Sequence, residues 1–158
     1  MATAIVGMLM VAALKSQSEL TRSRQKFSYR GQAQLLAQEL MAEILITNYK
    51  ELVETPTFGP EPTETGGTRV NFDDVDDYNG WDATPPQRSD GTVMTDRTGW
   101  RQQVTVQYVD PLNTNTVVGT DQGAKKITVV ISKDGTTLTT LIAIRTSGWQ
   151  QPPYDPPT

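Results

Sequence analysis

The sequence predicts an α+β fold in which a long N-terminal helix packs on a three- to four-stranded antiparallel sheet. Two patterns lead to this prediction. Residues 1–53 contain no proline and repeat apolar side chains at helical spacing, whereas residues 101–149 alternate apolar and polar side chains as half-buried strands do. The apolar face of such a sheet must be covered, and we expect the second half of the helix to cover it.

Composition and charge narrow the classes of function. The 158 residues suffice for one domain, and the 14 basic and 18 acidic side chains give a formal net charge of -4. The acidic excess falls after residue 52, and an acidic domain is a poor partner for phosphates, so we exclude nucleic acid. The sequence contains no cysteine and no histidine, which excludes disulfides, histidine-based catalytic triads and histidine-based zinc sites.

The uncharged residues 1–14 run without a break into a helical pattern that ends near Val53. They lack the basic leader and cleavage site of a secretory signal peptide, and they fall short of the roughly 20 apolar residues that span a membrane. A helix of about fifty residues is on the order of 75 Å long, so its first half should project from the domain. We expect the membrane and assembly contacts to be Ile5, Gly7, Leu9, Val11 and Leu14.

This apolar run, with its Val-Gly step at Gly7, resembles the N-terminal helix of the type IV pilin and pseudopilin family, whose members carry a prepilin-type cleavage and methylation signal. Residues 37–45 are also similar to the second half of that helix in minor pilins. The Gly-Phe-Thr-Leu-Ile-Glu processing motif of the family is absent, so no cleavage site is assigned. We expect Met1 to lie inside the true helix, with a leader and about seven mature residues upstream that restore a bilayer-spanning length.

Residues 54–100 are rich in proline, glycine and aspartate and predict an irregular segment between helix and sheet. Its candidate site is the group of Asp73, Asp74, Asp76 and Asp77. Crowded carboxylates repel one another, and a hard cation such as calcium would relieve that repulsion. The standard calcium-loop pattern fails because Val75 occupies a ligand position. The alternative is that these carboxylates cap turns by accepting hydrogen bonds from backbone N–H groups.

The aromatic residues of the same segment are expected to fix it onto the sheet or helix. Trp81 and Trp100 are also candidates for a sugar-binding platform. A pair of carboxylates flanking a sugar would be needed for glycoside hydrolysis, and no complementary acid–base environment is visible in the sequence.

Three strands are predicted in residues 101–149. Residues 101–109 and 125–133 each place alternate apolar side chains on one face, and residues 136–146 are expected to do the same. Asp134 and Gly135 predict a tight hairpin turn because both tolerate positive φ. Residues 110–124 predict a long exposed hairpin loop, and the proline-rich residues 150–158 predict a disordered tail. The inward-facing residues are predicted to be Val104, Val106, Tyr108, Ile127, Val129, Ile131, Leu138, Thr140, Ile142 and Ile144.

The resemblance implies a structural, non-enzymatic function as a minor subunit of a type IV pilus or of a type II secretion pseudopilus. Its implied partners are other pilin or pseudopilin subunits, the inner membrane, and prepilin peptidase acting on the full-length precursor. The implied location is the inner membrane with an extracytoplasmic domain, followed by assembly into a filament. It implies no cofactor, apart from calcium at the aspartates. Two alternatives stay open: a membrane-anchored extracytoplasmic domain that binds a sugar, calcium or another ligand, and a calcium-dependent hydrolase.

Overall fold

The computed structural model describes residues 2–51 and 57–149, without the side chains of residues 2–14, 16, 22 and 149. One helix, α1, begins at Ala2 and ends at Ile46. Two short 3-10 turns lie at Asp76–Tyr78 and Ser147–Trp149. The strands are β1 (Asp82–Ala83), β2 (Trp100–Asp110), β3 (Asn113–Val117), β4 (Ala124–Lys133) and β5 (Thr136–Thr146).

The five strands form one antiparallel sheet. Its order is β1-β2-β4-β5, and β3 pairs with the end of β2. Val129 in the centre of β4 lies opposite Val104 of β2 and Leu141 of β5, so apolar side chains line up across the sheet. The turn between β4 and β5 has φ values of 48° at Asp134 and 77° at Gly135, as the sequence predicts for this hairpin.

The core lies between the end of α1 and one face of the sheet. Each buried aliphatic side chain contributes roughly 1.5–3 kcal/mol relative to its exposed state, so this interface is the main source of stability. The core residues of the helix and of the two central strands are Ala33, Leu36, Ala37, Leu40, Met41, Ile44, Val104, Val106, Ile127, Val129 and Ile131.

The predicted fold class, a long helix packed on a three- to four-stranded sheet, is wrong. The sheet has five strands, because residues of the predicted irregular segment and hairpin loop form β1 and β3. The helix does not lie on the sheet along its length either. Its described side chains are exposed up to Ser28, and only the part from Ala33 to Ile44 belongs to the core. A strand of ten residues is only about 33 Å long, whereas 45 helical residues extend about 68 Å.

The end of α1 also differs from the prediction. The helix stops at Ile46 rather than near Val53, and residues 52–56 lie outside the description. Beyond it, Asn48 forms a parallel β-bridge with Asp74. The Asn48 N–H donates to the Asp73 carbonyl at 3.1 Å, and the Val75 N–H donates to the Asn48 carbonyl at 3.0 Å. The chain therefore leaves the helix by pairing with the aspartate segment.

In β5 the predicted inward face is wrong beyond Leu138. Ile142 is 64% exposed and Ile144 is also exposed, while Leu141 and Ala143 pack against the core. The register shifts at Leu138, because Ile131 of β4 pairs with Thr139 whereas the next residue pairs with Thr137. This bulge inserts one residue, and one residue reverses the face to which every following side chain points.

Some predictions fall on parts of the chain that are not described. The side chains of the expected membrane and assembly contacts Ile5, Gly7, Leu9, Val11 and Leu14 are not placed, although the backbone there is helical. The predicted tail, residues 150–158, lies outside the described residues. Within the described part of the chain, no helix has the length and apolar character that crossing a membrane requires.

Candidate functional site

The four aspartates predicted to bind calcium lie in a turn at the 3-10 helix Asp76–Tyr78. Asp73 is exposed, whereas Asp74, Asp76 and Asp77 are buried. The Asp74 Oδ1 atom accepts the Asp76 N–H at 2.7 Å. The Asp77 Oδ2 atom accepts the N–H groups of Asp73 and Asp74 at 3.0 Å and 2.9 Å. Two of the four carboxylates therefore cap the turn, as the alternative interpretation of this sequence predicts.

Asp76 is paired with a lysine of the sheet. Lys125 stands at an inward-facing position of β4, and the side chains of Lys125 and Asp76 are 1% and 4% exposed. The Lys125 Nζ atom forms an ion pair with Asp76 and donates to the Tyr49 carbonyl. It also lies 4.5 Å from the ring centroid of Tyr49 and 5.8 Å from that of Tyr108. These additional partners offset the desolvation of a buried charge, and they join β4 to the aspartate turn.

Asp74 completes this group, which we call the lysine cluster (Lys125, Asp76 and Asp74). Asp74 adjoins Asp76, because its Oδ1 atom accepts the Asp76 N–H. Burial raises the pKa of Asp74 to about 8. The neighbouring side chains of Asp76 and Asp77 also raise this pKa, whereas the positive charge of Lys125 lowers it. Burial therefore favours the protonated form of Asp74 next to Asp76.

Asp77 belongs to a second group, the carboxylate cluster (Glu61, Glu64 and Asp77). All three residues are buried, and one oxygen from each lies within 4.8 Å of the others. The Oε2 atom of Glu61 and the Oδ1 atom of Asp77 have no hydrogen-bond partner. Burial raises the pKa of Glu64 to about 8. The Glu61 N–H, which donates to the Glu64 carboxylate, lowers this pKa, whereas the side chains of Glu61 and Asp77 raise it. Such a cluster can hold a shared proton or a divalent cation.

A buried arginine fixes the irregular segment to α1. The Arg69 Nε atom lies 2.6 Å from Glu43 Oε1, and its Nη2 atom donates to Glu43 Oε2 at 3.1 Å and to the Gln87 carbonyl at 2.9 Å. The Tyr78 hydroxyl donates to the same Glu43 carboxylate at 3.2 Å. A two-point contact between guanidinium and carboxylate fixes orientation as well as distance. The helix and the segment that follows it are therefore held in one geometry.

The predicted sugar platform is wrong. Trp81 and Trp100 are 9% and 3% exposed, so neither ring presents a face to a ligand. The Arg69 guanidinium covers Trp81 at 5.3 Å from the ring centroid. Trp100 and Tyr29 pack in a T-shaped arrangement with their ring centroids 5.9 Å apart. Both indoles contribute their large apolar area to the core.

Sequence reasoning missed the partners of the aspartates. For Lys125 a signal was present, because it precedes Ile127 by two residues and therefore shares the inward face of Ile127 and Val129. Glu61 and Glu64 lie in an irregular segment, where no periodicity marks a side chain as buried. The predicted four-aspartate calcium site stays a prediction. The structure groups only one of its members, Asp77, with the carboxylates of Glu61 and Glu64.

Comparisons with known protein families, with characterised proteins and with solved structures find no match for this chain. A function therefore has to be argued from the helix and from the two buried clusters.

The protonated Glu64 predicts that stability depends on pH. Its pKa is about 8 in the folded chain against an ordinary value of 4.5, so the folded state binds more protons between those values. The free energy of unfolding should therefore fall as pH rises through that window. Glu64→Gln, which stays neutral at the same size, should lose part of this dependence. Urea unfolding of both chains at about pH 5 and about pH 8 measures the effect.

Glu39→Gln is the matched control, because Glu39 is exposed on α1. It should keep the pH dependence of the unaltered chain. Equal pH dependence in the Glu64→Gln variant and the unaltered chain would contradict a protonated Glu64.

Proposed function

We propose that this chain is a structural subunit of a filament, a minor pilin or pseudopilin of a type IV pilus or a type II secretion pseudopilus. One observation carries the proposal: α1 continues far beyond the sheet. Between Lys15 and Ser28 all its described side chains are exposed, and Leu20 and Phe27 are 60% and 72% exposed. Helices in proteins gain most of their stability from packing an apolar face, so this part of α1 calls for a partner.

The sequence of the first part of α1 supports a second copy of this helix as the partner. Residues 1–14 carry no charge and continue the same helix, and Ala2 to Ser28 extends about 40 Å. Copies packed side by side would bury these side chains against one another, at roughly 25 cal/mol for each Å² of apolar surface. In this proposal the helix rests in the inner membrane before assembly, with the sheet on the extracytoplasmic side. Prepilin peptidase would act on the precursor.

The enclosure of the lysine cluster supports a structural rather than an enzymatic function. Lys125, Asp74 and Asp76 are all buried, so a substrate from solution does not reach them. They connect parts of the chain that are distant in sequence, which makes the sheet domain rigid, as a domain carried on the helix of a filament subunit should be. Leu112 is 97% exposed, and the loop that contains it would face outward from the filament.

Photo-cross-linking tests the proposal. A photoreactive phenylalanine analogue at position 27 should capture a second copy or another filament subunit in the envelope of cells that assemble the filament. Mass spectrometry identifies the captured chain. The same analogue in place of Leu112 is the control, because that position is at least as exposed but lies on the sheet domain. Capture at neither position, or equal capture of the same chain at both, would contradict packing through α1.

The alternative, an extracytoplasmic calcium-binding domain, is favoured by one observation. The carboxylate cluster holds two buried oxygens, on Glu61 and Asp77, that have no hydrogen-bond partner. Calcium takes six to eight oxygen ligands and accepts carboxylates readily. Three carboxylates would supply part of that set.

Calcium titration tests whether the carboxylate cluster binds calcium. Calcium binding at the cluster predicts a rise in melting temperature that Glu64→Gln abolishes. Asp73→Asn is the control, because Asp73 is exposed and lies outside the cluster, although the sequence predicted it as a ligand. Loss of the rise in Asp73→Asn would favour the four-aspartate site instead. No heat and no change in melting temperature with calcium would contradict both calcium sites.

A further inference from the structure

Lys125 and Asp76 lie in direct contact in an enclosed part of the protein. Their side chains are almost fully buried, and the rings of Tyr49 and Tyr108 flank the Lys125 Nζ atom. Asp74 is buried beside Asp76, and its Oδ1 atom accepts the Asp76 N–H at 2.7 Å. An amine, a carboxyl group and a second carboxyl group are thus held together away from water. These are the nucleophile, the electrophile and the proton carrier that formation of an amide requires.

We propose that Lys125 and Asp76 become joined by a covalent amide bond, with Asp74 as the catalytic acid. The proton of the Lys125 ammonium passes to the Asp76 carboxylate, which leaves a free amine next to a carboxylic acid. The Nζ atom then attacks Cγ of Asp76 and forms the N–C bond. The C–O bond to the hydroxyl group breaks, and Asp74 carries a proton from the nitrogen to the departing oxygen. One water molecule leaves, and nothing is oxidised or reduced.

The surroundings favour this reaction at Lys125 over other ion pairs. Held at contact distance, reacting groups behave as if present at about 10⁵–10⁸ M, and the exclusion of water favours the amide over its hydrolysis. The pair of Lys133 with Asp134 has an exposed carboxylate, so water competes there. The pairs of Arg69 with Glu43 and of Arg101 with Asp82 contain guanidinium groups, which remain protonated and do not act as nucleophiles.

The bond would perform the function of a disulfide in a chain that has no cysteine. It would connect positions 49 residues apart and restrict the unfolded chain, as any cross-link that closes a long loop does. It would also fix the aspartate turn permanently to β4. This inference rests on the lysine cluster alone and is independent of the proposed filament function.

Intact mass spectrometry of the denatured full chain tests the proposal. The expected mass is that of the sequence less one water molecule. Proteolysis should then yield a branched peptide that joins residue 76 to residue 125. The full sequence mass would overturn the proposal. A water loss confined to a single peptide, as in a cyclised aspartate, would overturn it as well.

Four variants test the assigned chemistry, and each is measured by mass after denaturation. Lys125→Met should show no loss, and Lys126→Met, the neighbour in the same strand, should keep the loss of water. Asp74→Asn should remain uncross-linked, and persistence of the water loss there would overturn the role of Asp74. Asp76→Asn should lose one ammonia molecule instead of water, because the carboxamide nitrogen is then the leaving group. A loss of water in Asp76→Asn would overturn Asp76 as the electrophile.

Discussion

The contact between Lys125 and Asp76 is the interaction on which the order of residues 57–83 depends. This segment has little regular structure of its own, with one 3-10 turn and one strand of two residues. It is fixed instead by contacts with distant elements. Lys125 pairs Asp76 with β4, Glu43 pairs Arg69 with α1, and Val75, Tyr78 and Trp81 pack in the core. Removing one partner of a buried ion pair typically costs about 3–5 kcal/mol, because the other charge stays buried without compensation. The segment is therefore ordered by long-range contacts, which include the two buried ion pairs, more than by local preference.

These contacts divide the protein into two parts with different requirements. The sheet, the end of α1 and the connecting segment bury their apolar side chains against one another and pair Lys125 with Asp76 and Arg69 with Glu43. The earlier part of α1 has the opposite character, because Leu20 and Phe27 are exposed and the uncharged residues 1–14 precede them. A rigid sheet domain attached to a helix with an exposed apolar surface is the arrangement that assembly through the helix requires. In the sheet domain, the carboxylate cluster is expected to make the free energy of unfolding depend on pH.

How far the sequence predicts this structure differs from element to element. The helix and β4 are visible because one spacing of apolar side chains persists through each of them. The face of β5 is not, because the bulge at Leu138 depends on pairing with β4 and leaves no mark in the sequence. The aspartates were visible as a group, and Lys125 carried a signal because it shares the inward face of Ile127, but nothing in the sequence marked Glu64 as buried. The sugar hypothesis failed because Trp81 and Trp100 are buried, and their burial depends on residues distant in sequence.

Hydrogen–deuterium exchange in Lys125→Met tests the central claim that one buried pair orders the connecting segment. The amides of Val75, Asn79 and Trp81, which donate to main-chain carbonyls in and around the aspartate turn, should lose protection. The amides in the centres of β2 and β4 should keep theirs, because the core between helix and sheet persists. Lys126→Met, on the other face of β4, should leave all of them unchanged. Unaltered protection of the aspartate turn in Lys125→Met would contradict the account.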